Sequence, residues 1–219
     1  MNEFKKMSSG LLYNSSHKDL KRPHMKGLCK TQKFNKIPAW QQKRRERAFN
    51  RLIPSSKGKG TGVFSPFYCE YGVNITLGKE CFFNYNCTLL DCAEITLGDG
   101  VWLGANVCLA TPSHPFIAEE RFNSHYIDGY HDLEYAKPIT IGSRCWICSG
   151  ATICGGVTIG EDTIIAAGAV VTHDIPSGVI AAGVPAKVIR EITKDDRIDV
   201  WETYISGEIP LSRREKSGT

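Results

Sequence analysis

IGSRCW, ICSGAT, ICGGVT, IGEDTI, IAAGAV and VTHDIP follow one another without a gap over residues 141–176, and an aliphatic residue opens every hexad, at 141, 147, 153, 159, 165 and 171. The fifth places are held by Cys145, Ala151, Val157, Thr163, Ala169 and Ile175, mostly small or β-branched. A helix needs an apolar period of 3.6 and a half-buried strand a period of 2, so a period of six fits neither. It fits a short strand followed by a tight turn, three of which make one triangular coil. The aliphatic residue fills the prism, and the fifth residue is small because it too points inward. Gly and Asp-Gly at the second and following places supply the positive φ that tight turns need.

The same phase governs an earlier block: LGKECF, FNYNCT and LLDCAE from Leu77, then LGDGVW, LGANVC and LATPSH from Leu97. Cys81, Cys87 and Cys145 fall on the inward fifth place and read as buried small side chains. Three segments follow. Residues 1–60 form a basic module without the repeat, helical over segments such as 40–52 and ended by Pro54 and a Gly/Lys/Ser linker. Residues 61–193 form the coil. Residues 194–219 form a cap and tail, with a short helix over 194–211 closing the coil's open end. Between the repeat blocks the period breaks over residues 111–138, a loop of the length that usually carries function. It holds His114, His125 and His131.

Composition narrows the class further. Apolar residues at 42% and charged residues at 23% of 219 positions exclude a wholly disordered or collagen-like chain. The most apolar stretch, residues 163–172, contains Gly168 and falls far short of the ~20 residues of a membrane span. The start lacks the apolar segment of an export signal, so the chain reads as cytoplasmic with no membrane partner. Nine cysteines without a CxxC pair favour neither disulfides nor a zinc finger. Residues 1–60 carry 16 basic and three acidic side chains, and the remainder 11 and 20. A basic block invites nucleic acid, but KRRERAFNRL holds one aromatic and no recognition motif, so the arm reads as packing on an acidic body.

Beyond the hexads, SGLLYNSS, YGVNITLG, FFNYNCTLLD, the T-x-x-H-P of residues 111–115, LEYAKPITIG and VVTHDIPSGVIAAGVPAKVIR together resemble the maltose/galactoside O-acetyltransferase family of hexapeptide-repeat acyltransferases over residues 7–193. The resemblance implies a mainly β protein: a left-handed parallel β-helix with a helical N-terminal module and a short C-terminal helix. The left hand comes from the family, since parallel crossovers are ordinarily right-handed. It further implies a homotrimer that moves acetyl from acetyl-CoA to a hydroxyl of a sugar such as maltose, glucose or a galactoside, directly within one ternary complex and without a metal.

Residue by residue, His114 matches the family's general base, a role that suits an imidazole near neutral pH. Glu134 matches the residue beside it, and Ser149 the position whose backbone N–H, from a neighbouring subunit, holds the oxyanion. Asn84 and Asp91 match acceptor contacts, although Asp91 equally suits a turn cap. Asn14 stands with Ser15 where the family has an aspartate. Trp146, Ser149, Ala167, Thr172, His173, Lys187 and Arg190 match the strip that holds CoA, His173 replacing a lysine. The loop between His114 and Glu134 is longer than is usual.

Three rivals remain open on sequence. One is acetylation of a non-sugar acceptor such as serine or an antibiotic. Another is a zinc hydratase built on the same coil, which needs ligands from different rigid coils, whereas His114, His125 and His131 share one loop. The last is a non-enzymatic scaffold whose basic arm binds nucleic acid or an acidic partner.

Overall fold

The computed structural model describes residues 1–198 together with Val200, Tyr204, Ile205 and Gly207. The hexads wind into a parallel β-solenoid with three faces. The first face stacks Gly62–Val63, Phe82–Phe83, Trp102–Leu103, Trp146–Ile147, Ile164–Ile165 and Val179–Gly183. The second stacks Phe67–Cys69, Cys87–Leu90, Cys108–Ala110, Thr152–Cys154 and Val170–Val171, and the third Ile75–Leu77, Ile95–Leu97, Ile139–Ile141 and Thr158–Ile159. We call the corner between first and second faces edge one, that between second and third edge two, and the last edge three.

Every aliphatic opener from 141 to 171 is buried, and so are Cys145, Ala151, Val157, Thr163, Ala169 and Ile175. Cys81 and Cys87 point inward as well. Thus both inward places of the hexad feed one continuous core. The turn glycines behave differently from the sequence expectation. Positive φ falls on the fourth place, at Glu80, Asn86, Gly100, Asn106, Arg144, Gly150, Gly156, Asp162 and Gly168. The second-place glycines answer to crowding instead: a Cβ on Gly98 would lie 2.6 Å from the backbone nitrogen of Ser143 in the next coil, and one on Gly142 2.5 Å from that of Glu161.

The coils are not of equal length. Paired residues are 18 apart in the lower coils, as Trp146 and Ile164, but 20 apart in the upper ones, as Phe82 and Trp102. The two extra residues sit at edge two, and residues 111–138 leave the solenoid from the same edge. Their two stems cross Gly155, where a Cβ would meet the Thr111 carbonyl at 2.6 Å and that of Lys137 at 3.1 Å.

Three helices precede the coil: α1 (Glu3–Ser8), α2 (Lys18–Asn35) and α3 (Gln42–Leu52), the last inside the stretch expected from sequence. Phe34 packs on Phe49, which meets Phe67 and Phe83, and the pair plugs the prism's upper end. Polar side chains finish the exposed strand edges there. Asn35 Nδ2 donates to the Phe67 carbonyl at 2.9 Å while its Oδ1 accepts from Phe67 N–H at 3.0 Å. Ser55 Oγ donates to the Ile75 carbonyl at 2.6 Å. A second small core, with Met7, Tyr13, Leu20, Tyr71, Cys92 and Ala136, fastens the N-terminal module to edge two.

At the lower end the strand Ala186–Glu191 folds back antiparallel on Val179–Gly183. Of the helix expected over 194–211, the described residues show the 3-10 turn Lys194–Asp196, capped by Thr193, and helical conformation at Val200, Tyr204 and Ile205; residues 199, 201–203, 206 and 208–219 lie outside the described residues. No helix among the described residues is long and apolar enough to cross a membrane.

Candidate active site

The loop over 111–138 begins and ends as a two-stranded ribbon. Pro112–Ser113 runs antiparallel to Tyr135–Ala136, with Ser113 opposite Tyr135. One step outward the same register sets His114 opposite Glu134. Glu134 in turn forms an antiparallel bridge with Tyr13 of the N-terminal module, with backbone hydrogen bonds of 2.9 and 3.0 Å in both directions. Laterally aligned residues of antiparallel strands point to one side, and so do residues two apart along a strand. His114, Glu134, Tyr13 and Asp132 are therefore brought together by backbone pairing alone.

The side chains confirm the alignment. One ligand atom each from His114, Asp132 and Glu134 lie within 4.8 Å of one another, and the imidazole hydrogen-bonds to neither carboxylate. Tyr13 Oη donates to Glu134 Oε2 at 2.8 Å, and Ser15 Oγ to Asp132 Oδ1 at 3.2 Å. Burial, with the neighbouring Glu134 carboxylate, pushes the Tyr13 phenol far above its ordinary range, so it stays a donor. Tyr13 and Asp132 were not singled out from sequence, and Ser15 was named only beside Asn14; for Tyr13 the signal lay in LLYNSS, one residue before Asn14.

The other loop histidines do not converge on this cluster. His131 is buried, its Nε2 2.8 Å from Asp128 Oδ1 and its Nδ1 2.8 Å from the Asp132 carbonyl. These contacts raise its pKa and close the hairpin of Ser124–Tyr126 and Gly129–His131. His125 packs against Tyr130. The three histidines thus have separate partners, unlike the ligands of a hydratase zinc.

The remaining assigned residues divide between edges. Asn14, Thr172 and His173 share edge two with His114; Asn14 is nearly enclosed and its Oδ1 accepts from Ser16 N–H at 3.0 Å. Thr172 Oγ1 and His173 Nδ1 lie 2.9 Å apart on the surface. Asn84, Ser149 and Ala167 follow one another down edge one, and Lys187 pairs with Ala182 on the same edge. The Ser149 N–H donates to no acceptor among the described residues, whereas Gly168 N–H takes the Ser149 carbonyl at 3.0 Å. Trp146 stands outward on the first face beside Trp102, both half exposed. Arg190 is held bidentate by Asp196, both contacts at 2.7 Å.

Asp91 is a correction to the acceptor set. It is fully buried, and its Oδ1 accepts from Glu70 N–H at 3.0 Å and Tyr71 N–H at 2.9 Å, its Oδ2 from Asn74 N–H at 3.2 Å. The carboxyl caps the widened turn of edge two one coil above and is closed to a sugar. Desolvation lifts its pKa to about 6 against those backbone bonds.

Thiol chemistry is disfavoured at most of the coil's cysteines. Cys69, Cys87 and Cys92 are buried, and burial pushes each up to about 12. Burial also raises Cys81, Cys108, Cys145 and Cys148. A nucleophilic cysteine needs the opposite shift.

Comparison with known proteins agrees with this architecture. Residues 138–173 match the family described as Bacterial transferase hexapeptide (six repeats), and residues 74–110 match Hexapeptide repeat of succinyl-transferase. The galactoside O-acetyltransferase of Escherichia coli (strain K12) is 35% identical over 199 residues, covering 91% of this chain and 94% of that protein. The crystal structure of a maltose O-acetyltransferase from Clostridium difficile 630 superposes with a TM-score of 0.81 at 36% identity, covering 89% of this chain and 99% of that one. A galactoside acetyltransferase in complex with coenzyme A follows at a TM-score of 0.79 and 34% identity, covering 90% and 94%.

Proposed function

Because the chain belongs to the maltose/galactoside O-acetyltransferase family of hexapeptide-repeat acyltransferases, we propose that it transfers acetyl from acetyl-CoA to a hydroxyl of a sugar-like acceptor, in the cytoplasm and as a homotrimer. The observation that carries the reading is the three-strand alignment that sets His114 beside Glu134 and Tyr13.

The chemistry follows from those groups. A sugar hydroxyl is a weak acid, and His114 takes its proton as the oxygen attacks the thioester carbon. The C–O bond forms, negative charge gathers on the carbonyl oxygen, and the free N–H of Ser149 receives it. Collapse breaks the C–S bond, and the proton on His114 leaves with the CoA thiol. Glu134, fixed by Tyr13, and Asp132 stabilise the imidazolium between those steps.

Two edges must meet for this to happen. His114 is on edge two and Ser149 on edge one, with the second face between them; from Ser149 to Gly155 is six residues, ~20 Å of extended chain. The groups of one copy cannot reach a single substrate, so edge two of one copy faces edge one of the next. In that cleft Ala167, Lys187 and Trp146 line CoA from one side and Thr172 and His173 from the other. Arg190 reaches phosphate by exchanging Asp196 for it.

Release of free thiol from acetyl-CoA across a panel of sugars, amino sugars, serine and chloramphenicol tests the reading. Turnover with sugars and intersecting initial-velocity lines are expected. Turnover with serine alone would move the chain to another acceptor class, and parallel lines would replace direct transfer by a covalent acetyl-enzyme.

A further inference from the structure

Beside edge one, at the plugged end of the prism, a cleft of about 770 Å³ separates α3 from the first strand of the solenoid. One wall is α3, with Glu46 and Asn50 one turn apart. Asn50 Oδ1 accepts from Ser56 Oγ at 2.6 Å, and Asn50 Nδ2 makes no hydrogen bond among the described residues. The opposite wall is the chain around Gly62–Val63, where Thr61 and Ser65 line the cleft. The hydroxyls of both are enclosed and have no partner. At the mouth Phe64 and Tyr85 stack with centroids 4.7 Å apart and planes 11° from parallel, each more than 40% exposed.

An enclosed hydroxyl without a partner is unfavourable and calls for a group that both donates and accepts. An exposed aromatic stack calls for an apolar face. A pyranose ring offers both at once, C–H bonds on its faces and hydroxyls around its rim. The cleft is also continuous with the acceptor edge, because Tyr85 directly follows Asn84 and its N–H donates to Asn84 Oδ1 at 2.8 Å.

We propose that this cleft is an extension subsite for a second sugar ring, so that the acceptor is a disaccharide or longer glycoside whose reacting ring sits at Asn84 and whose next ring lies on Tyr85 and Phe64 between Thr61, Ser65 and Asn50. The assignment of the reacting ring rests on the acetyl-transfer reading above; the sugar-binding property of the cleft does not.

Two measurements on the full chain separate them. In steady-state assays with glucose, maltose and maltotriose, and with galactose and lactose, kcat/KM is expected to rise about tenfold from one ring to two. Tyr85→Ala removes that rise and leaves the monosaccharide kcat/KM and the acetyl-CoA KM where they were. Saturation-transfer NMR with maltotriose, without acetyl-CoA, is expected to show binding that Tyr85→Ala abolishes and the near-isosteric Thr61→Val weakens. If no sugar is acetylated but this binding pattern holds, the transfer reading fails and the subsite stands. Absence of maltotriose binding, or binding equal in wild type and both variants, overturns the subsite whatever the enzyme does. So does an equal fall for one-ring and two-ring acceptors in Tyr85→Ala, or a change of particle mass in that variant, which would give the cleft to a second copy.

Discussion

The proposed role of His114 rests on position rather than on a buried environment: it is exposed, and the ribbon register sets it opposite Glu134. His114→Ala is expected to lower kcat by about 10²–10⁴, the usual worth of a general base, with the acetyl-CoA KM nearly unchanged. Tyr13→Phe keeps the ring and removes the donor to Glu134; a fall of about tenfold in kcat with a displaced pH profile is expected, and an unchanged profile would make Tyr13 a packing residue. Asp91 shows what residue types alone leave ambiguous. An aspartate amid aliphatic neighbours reads as ligand or cap, and only the burial and three backbone donors decide for the cap. Its folded pKa of about 6 lies above the ordinary 3.8, so the folded chain holds this proton more tightly than the unfolded one. Its share of stability is full below 3.8 and falls as pH rises through about 6, by ~3 kcal/mol. Asp91→Asn, which cannot titrate, should flatten that slope in urea denaturation between pH 4 and 7, so the cost of the substitution is largest at pH 4 and shrinks by the same ~3 kcal/mol towards pH 7. An unaltered slope would assign the titration to another group.

At the scale of the element, the hexad separates two demands that its glycines seem to share. Where the second place is glycine, as at 98 and 142, the next coil's backbone leaves no room for a side chain; the fourth needs a left-handed residue. Gly98→Ala should therefore lower the melting temperature sharply or prevent folding, its Cβ being 2.6 Å from the Ser143 backbone nitrogen. Glu80→Gly, at an exposed fourth place with φ of 55°, should raise stability by about 1 kcal/mol. Equal effects from the two substitutions would undo the distinction. This is also where legibility ends. The period of six gave three-sided coils, the inward thiols and the position of the loop, because each depends on residues close in sequence. The plug of Phe34 and Phe49, the Asn35 and Ser55 edge caps and the Tyr13–Glu134 bridge join residues far apart in sequence, and no local pattern marks them. The fourth-place rule was masked because Glu, Asn, Arg and Asp occupy it as often as glycine.

For the whole molecule the decisive fact is that His114 and Ser149 of one chain lie on different edges of the prism. The family resemblance implies as much by giving the Ser149 N–H to a neighbouring subunit, and the second face of the prism keeps His114 and Ser149 of one chain apart. Particles of about three times the 24.3 kDa chain mass are expected. The sharper consequence is complementation. His114→Ala spoils edge two and spares edge one; Ala167→Trp fills the exposed turn below Ser149 on edge one and spares edge two. Each variant alone should be inactive, because every site in its homotrimer contains one damaged half. Co-expressed, they assemble mixed rings in which an intact edge two from one variant faces an intact edge one from the other. Every ring of two kinds of subunit contains one such junction, so activity should return to roughly a quarter of wild type for random mixing. If the mixture stays as inactive as its parents while mixed particles are present, both halves of the site must belong to one chain.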